Sequence, residues 1–223
     1  MRGVIFIGGN SPEPGALREI ARGADLLVAA DSGLVAAEEA GFRPDWVLGD
    51  MDSLASLDDL SRLDKYPPDR VRRFPPDKDF TDTELALDLL WEKGCDEIWL
   101  SGGGGGRMDH LFAIRALFER EKCPDRWFPG SDEIRCVKEG MVMAAALPPG
   151  SLVSVFPLGE RCALGEARYE AESTGLKWPL AGLCWGTGSF GMSNVAEQGT
   201  FEIRSIRGRF MVLMPMVTFM EKQ

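Results

Sequence analysis

Aspartates stand directly after several of the predicted strands, at the points where the chain leaves the sheet. Asp31 follows the second strand, segment 49–53 (GDMDS) follows the third, and segment 77–82 (DKDFTD) follows the fourth. Since the carboxyl ends of parallel strands meet at one edge of a sheet, where such folds bind ligands, we expect these carboxylates to lie together. Like charges packed closely cost energy unless a cation lies among them. Carboxylate oxygens select a hard cation, Mg²⁺ before Ca²⁺ or Mn²⁺.

Some of these aspartates also have a purely structural interpretation when they are considered alone. Asp31 fits a tight turn, Asp82 suits the N-terminus of a helix, and Asp109, farther along the chain, suits a helix cap. Their concentration at one edge is what favours a metal site. Asp50 and Asp52, two residues apart just past a strand, can face a common ion while the residue between them points elsewhere.

A run of five glycines, Gly102 to Gly106, follows the fifth predicted strand and leads into Arg107. Such a run lets backbone N–H groups approach a phosphate closely, beside a helix N-terminus that favours anions. Arg107 is a candidate to clamp a pair of phosphate oxygens. The run matches neither G-x-x-x-x-G-K-[ST] nor G-x-G-x-x-G. Because protein-bound Mg²⁺ usually completes its shell with substrate phosphates, the glycines and aspartates together predict a metal–phosphate site outside the two standard nucleotide-binding motifs.

The composition excludes several other classes of function. The 223 residues include 35 acidic and 25 basic side chains, and the net charge of −10 disfavours binding to nucleic acid or anionic membranes. Two long uncharged windows, 140–159 and 178–196, are broken by Pro, Gly, Ser and Thr, so neither predicts a membrane span. Five cysteines without a C-x-x-C pair indicate reduced thiols in a cytoplasmic protein. His110 is the only histidine, which argues against a catalytic triad or His-rich zinc site.

In the first 130 residues, short apolar runs alternate with helix-like stretches, the pattern of a parallel α/β sheet. The predicted strands are Val4–Ile7, Leu26–Ala30, Trp46–Leu48, Val71–Phe74 and Glu97–Leu100. The predicted helices cover Pro14–Arg22, Leu34–Ala40, a turn or two from Leu54 through Leu57 to Leu60, Thr81–Lys93 and Asp109–Glu121. The fourth helix carries the clearest signals, because Thr81-x-x-Glu84 is a capping box and Gly94 a stop.

Beyond Gly130 the helical period disappears, and short β-type runs separated by Gly, Pro and Asn replace it. Examples are Ser151–Phe156, Thr200–Ile206 and Phe210–Met214. This pattern is typical of a small antiparallel sandwich or barrel. The chain is therefore predicted to have an α/β domain over 1–130 and an all-β domain over 131–223.

Taken in order, the segments 49–53, 77–82 with Ala86-Leu87, and 102–110 closely resemble the signature blocks of thiamine pyrophosphokinases. The second half adds 175–180 (GLKWPL) and 191–194 (GMSN), which are similar to that family's thiamine-side motifs. The resemblance covers nearly the whole chain. It implies a Rossmann-like parallel-sheet catalytic domain followed by a C-terminal antiparallel β-sandwich, and a homodimer with its active site between subunits. Met51 departs from the pattern, since the family often has an aromatic residue there.

The activity implied by the resemblance is transfer of the pyrophosphoryl group of ATP to the hydroxyethyl arm of thiamine, giving thiamine diphosphate and AMP. The implied Mg²⁺ and catalytic carboxylates are Asp50, Asp52, Asp79 and Asp82. Lys78 and Arg107 would stabilise charge on the transferring group, whereas Asp77 is interpreted as structural. The residues implied to contact the nucleotide are Asp31, Gly49, Ser53, Thr81, Gly105, Gly106 and Asp109. Trp178, Ser193 and Asn194 would bind thiamine, and the other five tryptophans are interpreted as packing residues.

Two other functions stay open at this point. Related catalytic domains keep the aspartate blocks and change the acceptor half, so the acceptor alcohol of a pyrophosphokinase can instead be a hydroxymethyl pterin. A non-catalytic thiamine or nucleotide sensor is the alternative from another class. The density of carboxylates argues against the sensor, since binding alone does not require so complete a metal site.

Overall fold

The computed structural model describes residues 1–56, 59–159, 169–183, 185 and 191–216. Leu57 of the predicted helical turn and two of the cysteines, Cys162 and Cys184, lie outside the described residues. The chain forms two compact units. The first comprises Met1–Leu117 and Lys122–Ser131, and the second comprises Phe118–Glu121 and the described residues between 132 and 216.

The first unit contains a six-stranded parallel sheet with the order β6-β5-β1-β2-β3-β4. Its strands are β1 (Arg2–Phe6), β2 (Leu26–Ala30), β3 (Trp46–Gly49), β4 (Val71–Arg73), β5 (Glu97–Ser101) and β6 (Arg126–Phe128). The strand order reverses at β1, which pairs with β2 on one side and β5 on the other. A reversal of this kind opens a crevice at the carboxyl ends of the strands, where ligands bind in α/β folds.

Five helices connect these strands: α1 (Pro14–Ala21), α2 (Gly33–Glu39), α3 (Asp52–Ser56), α4 (Asp82–Glu92) and α5 (Met108–Leu117). Two 3₁₀ segments, Leu60–Lys65 and Pro68–Arg70, precede β4. The capping box at the start of α4 is confirmed, since the Thr81 side chain accepts from the Glu84 amide and Glu84 accepts from the Thr81 amide. The predicted extent of the last helix is wrong, because α5 ends at Leu117 and Phe118–Glu121 belong to the second unit.

The five predicted strands of this unit are all present, each within two residues of its predicted bounds. Most residues of β1, β2, β3 and β5 are buried on both faces, as in helix-covered parallel strands, whereas the edge strand β4 is partly exposed; Val4, Ile5 and Val47 are completely inaccessible to solvent. The sequence interpretation missed β6, whose three residues are too few to show a period.

A partly buried ion-pair network holds α2 against the 3₁₀ segment Leu60–Lys65. Glu38 Oε2 accepts from Arg62 Nη1 at 2.7 Å and from Lys65 Nζ at 3.1 Å. Burial opposes ionisation of Glu38, but these two cations outweigh it and lower the pKa of the Glu38 carboxyl. Burial also raises the pKa of the neighbouring Tyr66 to about 12. The network therefore fixes α2, the helix that begins two residues after Asp31.

The second unit is a sandwich of two antiparallel sheets, β11-β9-β13-β7 and β10-β12-β8. Its strands are β7 (Asp132–Val137), β8 (Val142–Ala146), β9 (Leu152–Leu158), β10 (Glu170–Thr174), β11 (Gly191–Val195), β12 (Thr200–Arg207) and β13 (Arg209–Pro215). Alternate residues of β12 are buried, and Phe201 and Ile203 pack with Phe210 and Val212 of the other sheet. The predicted fold class, a parallel α/β part followed by an antiparallel β-sandwich, is confirmed. Within the described residues, no helix is long and apolar enough to cross a bilayer.

Candidate active site

Three aspartates from three different loops meet at the carboxyl edge of the parallel sheet. Asp31 follows β2, Asp50 follows β3, and Asp82 begins α4. One carboxylate oxygen of each lies within 4.8 Å of the other two, and all three side chains are partly buried. Asp31, which the resemblance implied as a nucleotide contact and not as a metal ligand, therefore belongs to the carboxylate cluster. Asp52 and Asp79 are exposed and lie outside this group of three.

The chemistry of these three carboxylates fits a cation. Asp31 Oδ1 is a buried oxygen without a hydrogen-bond partner, and the buried Asp82 Oδ1 faces the Lys78 ammonium at 3.1 Å. Burial raises the pKa of the Asp82 carboxyl above its usual value; the Lys78 ammonium opposes this effect, while the charges of Asp50 and Asp31 add to it. Carboxylates held this close repel one another, and a hard divalent ion placed between them stabilises the arrangement.

The loop after β3 explains why Asp50 and Asp52 lie in different surroundings. Met51 adopts a left-handed backbone conformation, φ 66°, and its side chain is only 2% exposed in the apolar core. The Asp52 amide donates to Asp50 Oδ1 at 3.0 Å, which closes a tight turn around it. Gly49 allows the backbone of this loop to approach Asp31 closely. Its φ is 144°, and a Cβ at this position would lie 3.2 Å from the Asp31 Cβ. This turn places Asp50 against Asp31 and leaves Asp52 at the surface.

Lys78 lies against two members of the cluster. Its Nζ is 3.1 Å from Asp82 Oδ1 and 3.5 Å from Asp50 Oδ2, and its side chain is 13% exposed. The sequence interpretation included Lys78 as a residue that contacts the transferring group. The structure places its ammonium among the carboxylates.

A cavity of about 620 Å³ opens beside the cluster. Most residues predicted for the catalytic and nucleotide sites line it: Asp31, Asp50, Asp52, Ser53, Lys78, Asp79, Thr81, Asp82, Gly105, Gly106 and Arg107. Gly49 and Asp109 are not among its lining residues, and neither is Asp77. The sequence interpretation missed one wall, formed by Ile7, Gly8 and Gly9 after β1. The glycine pair directly after the first strand was the available signal for it.

The glycine run divides into two parts with different roles. The Gly102, Gly103 and Gly104 amides already donate to backbone carbonyls, those of Phe128, Gly8 and Asn10 respectively. These three amides therefore fix the loop and cannot also bind a phosphate, contrary to the expectation for the whole run. Within the described part of the chain, the Gly105 and Gly106 amides make no hydrogen bond, so they are the donors available to an anion.

Two further predicted residues are engaged within the protein. Arg107 and Asp109 form a bidentate pair, with Nε–Oδ1 at 3.1 Å and Nη2–Oδ2 at 2.5 Å, and both side chains are largely exposed. The hydrogen bonds from Arg107 lower the pKa of Asp109. The Thr81 hydroxyl accepts from the Glu84 amide at 3.2 Å and donates to the Glu84 carboxylate. Its position at the N-cap makes Thr81 a residue that fixes the start of α4, and with it Asp82.

In the second unit, the structure brings Trp178, Ser193 and Asn194 together. Trp178 is 52% exposed, whereas Asn194 is 3% exposed. The Asn194 side-chain amide binds the backbone of Trp178 twice: Oδ1 accepts from the Trp178 N–H at 3.1 Å, and Nδ2 donates to the Trp178 carbonyl at 2.6 Å. Asn194 is thus built into the scaffold that presents Trp178. Ser193 is exposed and has a left-handed φ of 55°. Lys177 Nζ lies 4.6 Å from the centroid of the Trp178 ring.

The remaining tryptophans pack in the protein, in line with their interpretation from sequence. Trp46, Trp99, Trp127 and Trp185 are less than a tenth exposed, and Trp91 is partly buried. Trp127 Nε1 donates to the Gly102 carbonyl at 2.7 Å, which adds a further anchor to the glycine loop. All six tryptophans lie in the described part of the chain, and among them Trp178 alone is more than half exposed.

Comparison with known proteins gives a consistent result. A family model described as "Thiamin pyrophosphokinase, catalytic domain" matches residues 17–124. The thiamine pyrophosphokinase of Bacillus subtilis (strain 168) is 30% identical over 167 residues, covering 70% of each chain. A crystal structure of the B. subtilis protein superposes with a TM-score of 0.77 at 23% identity, covering 98% of this chain and 100% of that one.

A second crystal structure, thiamin pyrophosphokinase from Geobacillus thermodenitrificans, has a TM-score of 0.71 and 27% identity, with 98% of this chain and 99% of that one covered. The Candida albicans enzyme, at 16% identity, shares the fold with a TM-score of 0.67 over 96% of this chain and 88% of that one. The fold, the ordered motifs and the relative with 30% identity agree, and the chain belongs to the thiamine pyrophosphokinase family.

Proposed function

We propose that this protein is a thiamine diphosphokinase, which transfers the pyrophosphoryl group of ATP to thiamine. In this reaction the thiamine hydroxyl oxygen bonds to the β-phosphorus of ATP, the bond from that phosphorus to the α–β bridging oxygen breaks, and AMP and a proton leave. The observation that carries the proposal is the cluster of Asp31, Asp50 and Asp82 in a cavity beside two free glycine amides. Phosphoryl transfer depends on positioning and charge neutralisation, and both are properties of this arrangement.

We propose that Mg²⁺ is held by Asp50 and Asp82 with Asp31, and that Asp52 and Asp79 complete the acidic wall of the cavity. When bound, the ion supplies charge neutralisation at the polyphosphate oxygens. Thr81 contributes by fixing the start of α4, so that Asp82 keeps its orientation. Met51 contributes by anchoring the loop that carries Asp50 in the apolar core.

The nucleotide phosphates are assigned to the glycine loop. The Gly105 and Gly106 amides are the free donors there, and Ser53 lies on the same cavity wall as Asp52. Arg107 lines the cavity while it is paired with Asp109, which keeps its guanidinium ordered at the rim. In this assignment Asp109 orients Arg107 toward the phosphates and does not itself contact them. The catalytic ATP and Mg²⁺ functions are assigned to 1–130, and thiamine binding to 131–223.

Thiamine is assigned to the exposed face of Trp178. Its thiazolium ring is a cation, and an indole face attracts cations that lie within about 6 Å of it. The ring already has a cation beside it, since Lys177 Nζ is 4.6 Å from the centroid. Ser193 offers an exposed hydroxyl, and the role of Asn194 is to fix the position of the indole.

Trp178→Ala is expected to raise the KM for thiamine about 10-fold, with a smaller change in kcat, because the variant loses a cation–π contact of about 1–2 kcal/mol. Trp178→Phe keeps an aromatic face and is expected to retain most of the affinity. Steady-state kinetics with varied thiamine at saturating MgATP measures both. The melting temperature of the two variants should match that of the wild type, since the side chain is 52% exposed. A loss of kcat at unchanged KM would remove Trp178 from the thiamine site.

We propose that the protein acts as a homodimer in the cytoplasm, with no nucleic-acid or membrane partner. Large apolar side chains at the surface of α5, Met108 and Phe112, are more than 60% exposed, which supports a subunit contact. The unbridged thiol of Cys95 supports the cytoplasmic location, and the net charge of −10 supports the absence of nucleic-acid and membrane partners. Light scattering coupled to size-exclusion chromatography tests the dimer.

A coupled AMP-release assay with MgATP and a panel of alcohols tests the function directly. With thiamine we expect AMP and thiamine diphosphate in equal amounts, and no AMP with a hydroxymethyl pterin. AMP release with the pterin alcohol and none with thiamine would replace the proposed acceptor. Tight thiamine binding without turnover, with both Mg²⁺ and Mn²⁺, would instead identify a sensor.

A further inference from the structure

Lys78 turns inward from a stretch of loop whose other residues are exposed. The loop between β4 and α4 includes residues 75–81, and every one of these except Lys78 is exposed. The side chain of Lys78 is 13% exposed, and its Nζ contacts Asp82 Oδ1, Asp50 Oδ2 and the Pro75 carbonyl at 3.1, 3.5 and 3.4 Å. The two ion pairs with the aspartates are thus the inward anchor of this loop.

The ammonium and a divalent metal would share two carboxylates, those of Asp50 and Asp82. Asp31, Asp50 and Asp82 bring three negative charges together, and Lys78 returns one positive charge. A metal bound by these carboxylates would lie close to the Lys78 ammonium, which contacts two of the same carboxylates. Two positive charges this close repel strongly in a partly buried site. The two cations therefore cannot both keep their full set of contacts.

We propose that Lys78 acts as a built-in competitor of the divalent metal: metal binding displaces its ammonium from Asp50 and Asp82, and the freed side chain reaches into the cavity toward the polyphosphate. The inference rests on the proposed metal site and deepens it. Lys78 lines the same cavity as the Gly105 and Gly106 amides, so the displaced ammonium has an anionic partner there once the nucleotide binds. The exchange makes the positive charge of Lys78 available only when the metal is in place.

The first test is calorimetric titration of nucleotide-free, full-length protein with Mg²⁺ alone. Lys78→Met removes the competing charge and keeps the length of the side chain, so we expect Mg²⁺ to bind about 10-fold more tightly than in the wild type. Lys78→Arg keeps the charge, so its Mg²⁺ affinity should stay within about 3-fold of the wild-type value. Lys65→Met is the matched control, because it removes an ammonium paired with a different carboxylate, Glu38, and should leave Mg²⁺ affinity unchanged.

The second measurement does not depend on a variant folding. Acetylation of lysine amines in the wild-type protein, followed by mass spectrometry, is compared with and without Mg²⁺. Release from two carboxylates should raise the labelling rate of Lys78 several-fold, while Lys65 labels at the same rate in both conditions. Unchanged or reduced labelling of Lys78 would contradict the exchange.

The outcomes separate the two proposals. Tighter Mg²⁺ binding by Lys78→Met supports the exchange, including the case in which only the variant binds measurably. Equal or weaker binding by the variant, with clear binding by the wild type, overturns the exchange and leaves the metal site standing. Absence of Mg²⁺ binding in both proteins overturns the metal site and the exchange together.

Discussion

Asp50→Asn is expected to lower kcat about 100-fold or more while the protein stays folded, the scale of removing one preorganised electrostatic group. Asn has the shape of Asp, and its Oδ1 can still accept the hydrogen bond from the Asp52 amide. The turn around Met51 is therefore kept, and the change removes one negative charge from the cluster. With one of three carboxylates neutral, the site holds a divalent ion more weakly and neutralises less of the polyphosphate charge.

The measurement is AMP release at saturating thiamine and varied MgATP, with the melting temperature as a check of folding. Asp77→Asn is the matched control: it is the same change at an exposed aspartate outside the cavity lining, and kcat should stay within about 2-fold. The kcat of Asp52→Asn is expected to lie between those of Asp50→Asn and Asp77→Asn, because Asp52 lines the cavity but is exposed and outside the group of three aspartates. Near-normal turnover in Asp50→Asn would remove the metal assignment.

The sequence alone was sufficient for the edge of the sheet at which the site lies. Parallel strands end at one edge, so aspartates placed after β2 and β3 had to come close together, and Asp31 and Asp50 do. The capping box at Thr81 and Glu84 is a local signal, and it predicted the start of α4 to within one residue. Features determined by contacts within a few residues, or by strand direction, were therefore predictable.

Other features of the site depend on contacts between distant segments, which no local pattern contains. The first amides of the glycine run donate to carbonyls of the segment after β1 and of the last residue of β6, about 25 to 95 residues away. The left-handed conformation of Met51 arises because its side chain is held in the core beneath Asp50. Asn194, predicted to contact the substrate, is buried against the backbone of Trp178, 16 residues earlier. Residue type and spacing indicated which positions matter, but which of them face the ligand depends on the packing.

Gly33→Ala is expected to lower the free energy of unfolding by at least about 3 kcal/mol, because the added methyl group has no space. A Cβ at Gly33 would lie 2.1 Å from the Phe6 carbonyl oxygen and 2.4 Å from its carbon. Both atoms belong to the backbone of β1, so no side-chain rotation relieves the contact. The backbone of Gly33 is helical, at the start of α2, and the requirement for glycine is therefore one of space.

Gly15→Ala is the matched control for this substitution. Gly15 lies in the first turn of α1, and a Cβ there would meet nothing within 4 Å. Because alanine loses less conformational entropy than glycine on folding, this variant should be more stable than the wild type by about 0.5–1 kcal/mol. Thermal and urea unfolding of both variants measure the difference. A Gly33→Ala protein as stable as the wild type would mean that α2 does not press against β1 as described.

The effect of Gly33→Ala should also reach the site. To admit the methyl group, the start of α2 must move away from β1, while Glu38 holds the far end of the helix to Arg62 and Lys65. The movement is then concentrated at the N-terminus of α2, two residues after Asp31. Folded Gly33→Ala protein should therefore bind Mg²⁺ more weakly than the wild type, whereas Gly15→Ala should bind it equally well. Equal Mg²⁺ affinity in a destabilised Gly33→Ala protein would show that Asp31 is positioned by β2 and β3 alone, through the hydrogen bond that its backbone N–H donates to the Leu48 carbonyl.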